Sequence, residues 1–208
     1  MLSAAVSGFQ RRFTLLLAFS LVVSSLLLFT GCRSVDPVVK VGLIAPFEGR
    51  YRAVGYDVLY SARLAVREIN AAGGINGTRV ALVALDDSGN PEFAAATADS
   101  LLADPNVVAV VGHWLPETTA VAAPRYAAGK LTFLAGGEDP FLPGDPEELP
   151  EDFIAAYTAV TPFDETPGPY AGPAYEAYQS LWRLLEETQK QHGIITRSSV
   201  YQTFQELE

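Results

Sequence analysis

One cysteine and two histidines among 208 residues leave little room for several kinds of chemistry. A single cysteine excludes an intrachain disulfide framework. With only His113 and His192 beside it, a standard zinc site of Cys and His ligands is out of reach. No GxSxG elbow, GxxxxGK[ST] loop or GxGxxG turn after a strand occurs in the chain, so the common hydrolase and nucleotide-binding signatures are missing. Basic residues are scarce as well: 14 Lys and Arg against 24 Asp and Glu give a net charge of −10. That balance disfavours nucleic acid and anionic lipid surfaces as partners. No cofactor and no enzymatic activity are expected.

The chain opens with Arg11-Arg12 and an apolar stretch from Phe13 to Phe29, interrupted only by small hydroxyl residues and followed by Thr30-Gly31-Cys32. A basic start, an apolar middle and small residues before a cut site describe a secretory signal. The sole cysteine sits at the cut site, so residues 1–32 read as a lipoprotein signal peptide with Cys32 as the lipidated residue. A single transmembrane anchor is the alternative, because the run is nearly long enough to span. On either reading the remainder lies outside the cytoplasmic membrane.

From Lys40 to Asp87 the pattern is strand, helix, glycine turn, strand. Val41, Leu43 and Ile44 form a short apolar run before Pro46, which suits a strand buried on both faces. Val58, Ala62, Ala65, Val66 and Ile69 recur at helical spacing, and Gly73-Gly74 stop that helix. Val80–Leu85 supplies the next strand. The alternation continues with a helix over Glu92–Leu102, a strand over Val107–Val111, a helix over Glu117–Ala128 and a strand over Leu131–Leu134. These repeats predict an α/β fold: a doubly wound, Rossmann-like, mostly parallel sheet of about four to five strands with helices on both faces. In such sheets ligands bind beyond the carboxyl ends of the strands, here Ala45–Tyr51, Asp86–Asn90, Gly112–Thr118 and Ala135–Glu138. Asp86-Asp87 reads as a turn and cap rather than a catalytic pair. His113 reads as a packing or loop-fixing residue.

The segments GLIAPFEG, REINAAGGINGTRV, LDDSGNP, VVAVVGH and LTFLAGG, with PGPYAGPAYEAYQSL further on, resemble type 1 periplasmic binding proteins in an ordered series. They are most similar to the substrate-binding proteins of branched-chain amino acid ABC transporters. That resemblance implies two lobes closing on a small ligand, and a transporter permease as partner. In this family the loop after the third strand offers a serine hydroxyl and backbone amides to a ligand carboxylate, and the loop after the fourth offers a carbonyl and a threonine hydroxyl to the ammonium group. Pro116 falls at the serine and Glu138 at the threonine, with Val54 where an aromatic often covers the ligand. Proline has neither amide hydrogen nor hydroxyl, so Thr118 or Thr119 is the expected substitute donor. Glu138 suits a cationic ligand. The implied ligand-binding residues are Tyr51, Trp114, Thr118, Thr119, Gly136, Gly137 and Glu138.

The chain then divides as 33–137, the βα repeats; 138–150, a crossing; and 151–208, helices returning to the same lobe. Glu138–Asp152 holds four prolines and seven acidic residues without a basic one, a stiff solvated passage. A calcium loop is the sharper alternative, but the oxygen spacing matches no EF-hand. Helices are expected over Glu151–Tyr157, about Gly172–Gln191 and Ser199–Leu207. Tyr175, Tyr178, Trp182 and Leu185 line one core-facing stripe of the long helix. By the resemblance, a second lobe is replaced by residues 138–150. Three readings follow: a lipid-anchored substrate-binding lobe for an amino acid-like ligand, with a second lobe possible in trans; an interaction module that docks on a transporter or sensor; or a decayed remnant. Self-association would use an apolar patch of Phe47, Tyr51, Trp114, Leu115 and Phe141.

Overall fold

The computed structural model describes residues 36–134 and 143–207. Pro37–Glu208 forms one compact unit. Among the described residues, strands β1 (Val38–Ala45), β2 (Arg79–Asp86), β3 (Val107–Val111) and β4 (Thr132–Leu134) pair in parallel in the order β2-β1-β3-β4. Helices α1 (Arg52–Ala71), α2 (Pro91–Ala103) and α3 (Pro116–Ala128) form the crossovers. They are followed by α4 (Glu151–Thr158), α5 (Ala171–His192) and α6 (Arg197–Leu207). A parallel sheet growing outward from β1 with helices on both faces is the doubly wound arrangement the strand-helix alternation predicts. Among the described residues no helix is long and apolar enough to cross a membrane.

β1 lies inside the sheet because both of its faces are apolar. Val41, Leu43 and Ala45 pack toward Val58 and Ala62 of α1 and Tyr178, Leu181 and Leu185 of α5. Ile44 faces the other way, toward Ala98 and Leu101 of α2 and Tyr126 of α3. A side chain at Gly42 would come within 2.6 Å of Leu101 Cδ1, so α2 lies directly on the strand. Full burial of an aliphatic side chain contributes roughly 1.5–3 kcal/mol, and all five residues of β3 are buried. The stripe predicted on α5 holds: Tyr178, Trp182 and Leu185 are buried and Tyr175 is half-buried.

The joints follow from local chemistry. Beyond α1, the Gly74 amide donates to Ile69 O at 2.8 Å. Asn76 and Gly77 both take positive φ, 53° and 86°, the type I′ geometry. That turn is closed by Thr78 N donating to Ile75 O at 2.9 Å. Asn70 then reaches across from α1 to β2, donating to Val80 O at 2.7 Å and accepting from Val80 N at 2.9 Å. Asn90 caps α2 by accepting from Glu92 N at 2.8 Å, with Pro91 in the first turn. Within the acidic passage, residues 143–150 include a short 3-10 turn at Pro146–Glu148, and Asp145 accepts from Glu147 N at 2.9 Å.

Candidate functional site

The carboxyl ends of β1, β2 and β3 open into loops stitched together by two consecutive aspartates. Asp86 accepts from Phe47 N at 2.8 Å, from Ser88 N at 2.7 Å and from Ser88 Oγ at 2.6 Å. The β1 and β2 loops are thereby joined through one carboxylate. Burial pushes its pKa upward, but the bonds from Ser88, Phe47 and Glu48 outweigh that and hold the carboxyl below its usual range. Asp87 is fully buried and accepts from Gly89 N at 2.9 Å. Its other oxygen lies 2.7 Å from Nδ1 of the fully buried His113.

That carboxylate fixes the imidazole. Nδ1–H donates to Asp87, which leaves Nε2 to accept from the Tyr126 hydroxyl at 3.2 Å. Burial, followed by the Asp87 charge, pushes the Tyr126 hydroxyl far up its scale, so it stays a donor. The His113 carbonyl in turn accepts from Thr119 Oγ1 at 2.9 Å. This chain bears out the turn-forming reading of Asp86-Asp87 and the loop-fixing reading of His113. His192 is exposed at the end of α5. Among the described residues no group of three or more His, Cys, Asp or Glu side chains is placed to hold a metal.

The expected site residues do not all meet. Tyr51 and Leu115 approach each other over Gly89: a side chain there would lie 2.9 Å from Leu115 Cδ1 and 3.1 Å from Tyr51 Cδ2. Arg50 covers the Tyr51 ring at 4.3 Å and donates to its hydroxyl. Trp114 turns inward instead of joining an exposed apolar patch. It is 5 % exposed and meets Tyr170 edge-to-face at 6.4 Å, because its bulk is better covered beneath the start of α5. Thr118 is fully buried and donates to Leu115 O at 3.0 Å. Both threonine hydroxyls expected as ligand donors therefore give their protons to loop carbonyls. Gly136, Gly137, Glu138, Phe141 and Cys32 lie outside the described residues.

The amino end of α3 follows directly on the loop after β3. It begins at Pro116 after Leu115, with no side-chain cap, so its first amides are not satisfied by a cap as those of α2 are. The positive end of the helix dipole favours a carboxylate there, although Glu117 already sits in its first turn. Tyr126, Tyr170 and Ser88 belong to the site without having been singled out from the sequence. Only Ser88 carried a signal, its place in the SGNP turn.

In doubly wound α/β folds the loops at the carboxyl ends of the strands are where ligands bind. The model of the family described as Periplasmic binding protein matches residues 38–147, and the chain belongs to that family. An amino acid binding protein from Pseudomonas aeruginosa is 36 % identical over 103 residues, 49 % of this chain and 28 % of that protein. A Leu/Ile/Val-binding protein homologue from Brucella abortus is 31 % identical over 115 residues, 55 % of this chain and 30 % of the relative. The matched stretch thus spans less than a third of either relative's length. The crystal structure of the branched-chain amino acid transporter substrate-binding protein LivJ from Streptococcus pneumoniae, in complex with isoleucine, superposes with a TM-score of 0.62. The superposition covers 80 % of this chain and 87 % of that one at 15 % identity, which is a likeness of fold. Membership of the family implies an extracytoplasmic location.

Proposed function

We propose that this chain is an extracytoplasmic substrate-binding protein, not an enzyme, which supplies one wall of a site for a small amino acid-like ligand and serves an ABC transporter. The observation that carries this reading is the family match across β1, β2 and β3, the strands whose loops Asp86, Asp87 and His113 hold together. The ligand carboxylate meets the uncapped amino end of α3 near Thr118 and Thr119, under the rim of Tyr51 and Leu115. By the family resemblance, Gly136, Gly137 and Glu138 are assigned to the ammonium group. The opposite wall comes from a second lobe, in the same longer polypeptide or in trans. Cys32 carries a lipid that tethers the lobe to the membrane, and replacing it with serine releases the chain from the membrane fraction.

A second reading, an interaction module docking on a transporter or sensor, gains from the state of the donors. Pro116 has no amide hydrogen, and the Thr118 and Thr119 protons are committed to Leu115 and His113 carbonyls. The two readings part on melting experiments with residues 33–208 against single amino acids. A saturable rise in melting temperature with any of them supports the receptor; no response to any supports the module. Glu138→Ala abolishes a response to cationic amino acids under the first reading and leaves docking unchanged under the second.

A further inference from the structure

The flank bounded by β4 carries apolar surface that the described residues leave uncovered. β4 is an edge strand in the sheet order among the described residues. Beside it Leu134, Leu184, Phe204 and Leu207 line a groove of about 430 Å³, with Ser180, Arg183 and Glu187 along the α5 lip. Leu207, at the tip of α6, is 64 % exposed. Apolar side chains converging on one groove rimmed by charge are the composition of a protein contact rather than of a solvated face.

The charges on the lip say what fits it. Arg183 donates to Ser180 Oγ at 2.9 Å and meets no carboxylate among the described residues. Glu187, one turn later on the same stripe, holds only the exposed Lys190 at 3.3 Å and Gln191 at 3.0 Å. An opposite pair one turn apart on one helix is self-complementary: two antiparallel copies related by a two-fold axis bring each arginine against the other copy's glutamate. With a net charge of −10, two copies repel over most orientations. A face where both signs alternate is where that repulsion is relieved.

We propose that this groove is a homodimer interface, with α5 packed antiparallel on α5 of a second copy and the α6 tip of each copy seated in the groove of the other. The proposal stands apart from the ligand reading, since none of its residues lies at the carboxyl-end loops.

Sedimentation velocity on the compact Pro37–Glu208 unit, from ~1 to ~100 µM, reads the association directly. The native sequence shifts from monomer to dimer with concentration. Arg183→Glu and Glu187→Arg each weaken the dimer by at least ~10-fold, because each sets like charges against one another. The double swap Arg183→Glu with Glu187→Arg restores it, and Phe204→Glu abolishes it. Melting curves confirm that each variant is folded before its mass is compared. A native unit that stays monomeric up to ~100 µM overturns the proposal and leaves the groove to a different polypeptide. A dimer that Arg183→Glu does not weaken, or that the double swap fails to restore, overturns it equally.

Discussion

Asp87 and His113 form a fully buried contact of 2.7 Å between residues 26 positions apart. It ties the loop after β2 to the loop after β3. It adds a buried polar tie to the bond by which Asp86 already joins the β1 and β2 loops through Phe47 N. The candidate ligand face therefore depends on a polar pair inside the protein, with Tyr126 completing it from α3.

Removing one partner of such a pair leaves the other buried without compensation. Asp87→Ala is expected to cost about 3 kcal/mol of unfolding free energy, since it strands the His113 N–H and releases Gly89 N as well. Asp87→Asn costs less, because the amide oxygen still accepts. Tyr126→Phe costs about 1 kcal/mol. Urea unfolding of the three variants gives the order, with lowered midpoints and unchanged slopes. Equal effects for Asp87→Ala and Asp87→Asn would contradict the hydrogen-bond account.

Two aspartates are expected to move stability with pH in opposite directions. The Asp57 pKa is raised, chiefly by burial and further by Glu165, against bonds from Tyr170 and Gly168 that lower it. Its folded value lies above the unfolded one, so the ionised form is a cost at neutral pH that fades as pH falls through the folded value. Asp57→Asn should therefore raise the melting temperature at pH 7, by an amount that shrinks toward pH ~4. The Asp86 value is depressed, so its contribution is complete above the unfolded value near ~3.9 and is lost as pH falls through the folded one. Ser88→Ala removes one of the bonds responsible and should make acid unfolding begin at higher pH.

The glycine pair after α1 separates strain from crowding. Gly73 and Gly74 both have positive φ, 103° and 73°. A side chain at Gly73 meets nothing within 4 Å, whereas at Gly74 it would lie 2.2 Å from Thr78 O. Gly73→Ala is expected to cost ~1 kcal/mol from the backbone alone. Gly74→Ala must also displace the turn that starts β2 and should cost ~3 kcal/mol or more. Chemical denaturation of the two single variants checks the difference.

The elements were legible where local periodicity and punctuation agree. The buried runs of β1 and β3, the stripe of α5 and the glycines after α1 each carry their own signal within a few residues. The turn at Asp86-Asp87-Ser88-Gly89 was readable for the same reason. The partner of Asp87 was not, because His113 and Tyr126 arrive from other βα units and nothing in their local sequence names the contact. Trp114 failed similarly. A tryptophan in a strand-end loop looks exposed, and its cover comes from distant chain, including Tyr170 packed edge-to-face at 6.4 Å. The local partners of Thr118 and Thr119 were not legible either: the Leu115 and His113 carbonyls accept from their hydroxyls at 3.0 and 2.9 Å, a competition that short polar side chains commonly enter at helix starts.

Arg197 offers the sharpest test of how the last helix is attached. Its Nε donates to Val107 O at 3.0 Å, Nη1 to Leu102 O at 3.0 Å, and Nη2 to Leu101 O at 3.2 Å and Asp104 O at 2.5 Å. Leu101 and Leu102 are in the last turn of α2, where the helix offers few amides to the carbonyls and Leu101 O also accepts from Asp104 N at 3.3 Å. The guanidinium thus caps α2, supports the start of β3 and pins α6 to both, and its planar fork suits that task. Arg197→Ala is expected to cost roughly 2–3 kcal/mol. Arg197→Lys should recover only a minor part, because an ammonium cannot reach carbonyls on both elements at once. The discriminating measurement is amide exchange in the α6 segment. Arg197→Ala should speed exchange in α6 more than in α1, since of these two helices only α6 is held by the guanidinium. A uniform acceleration across the unit would mean that the arginine contributes to global stability without anchoring this helix.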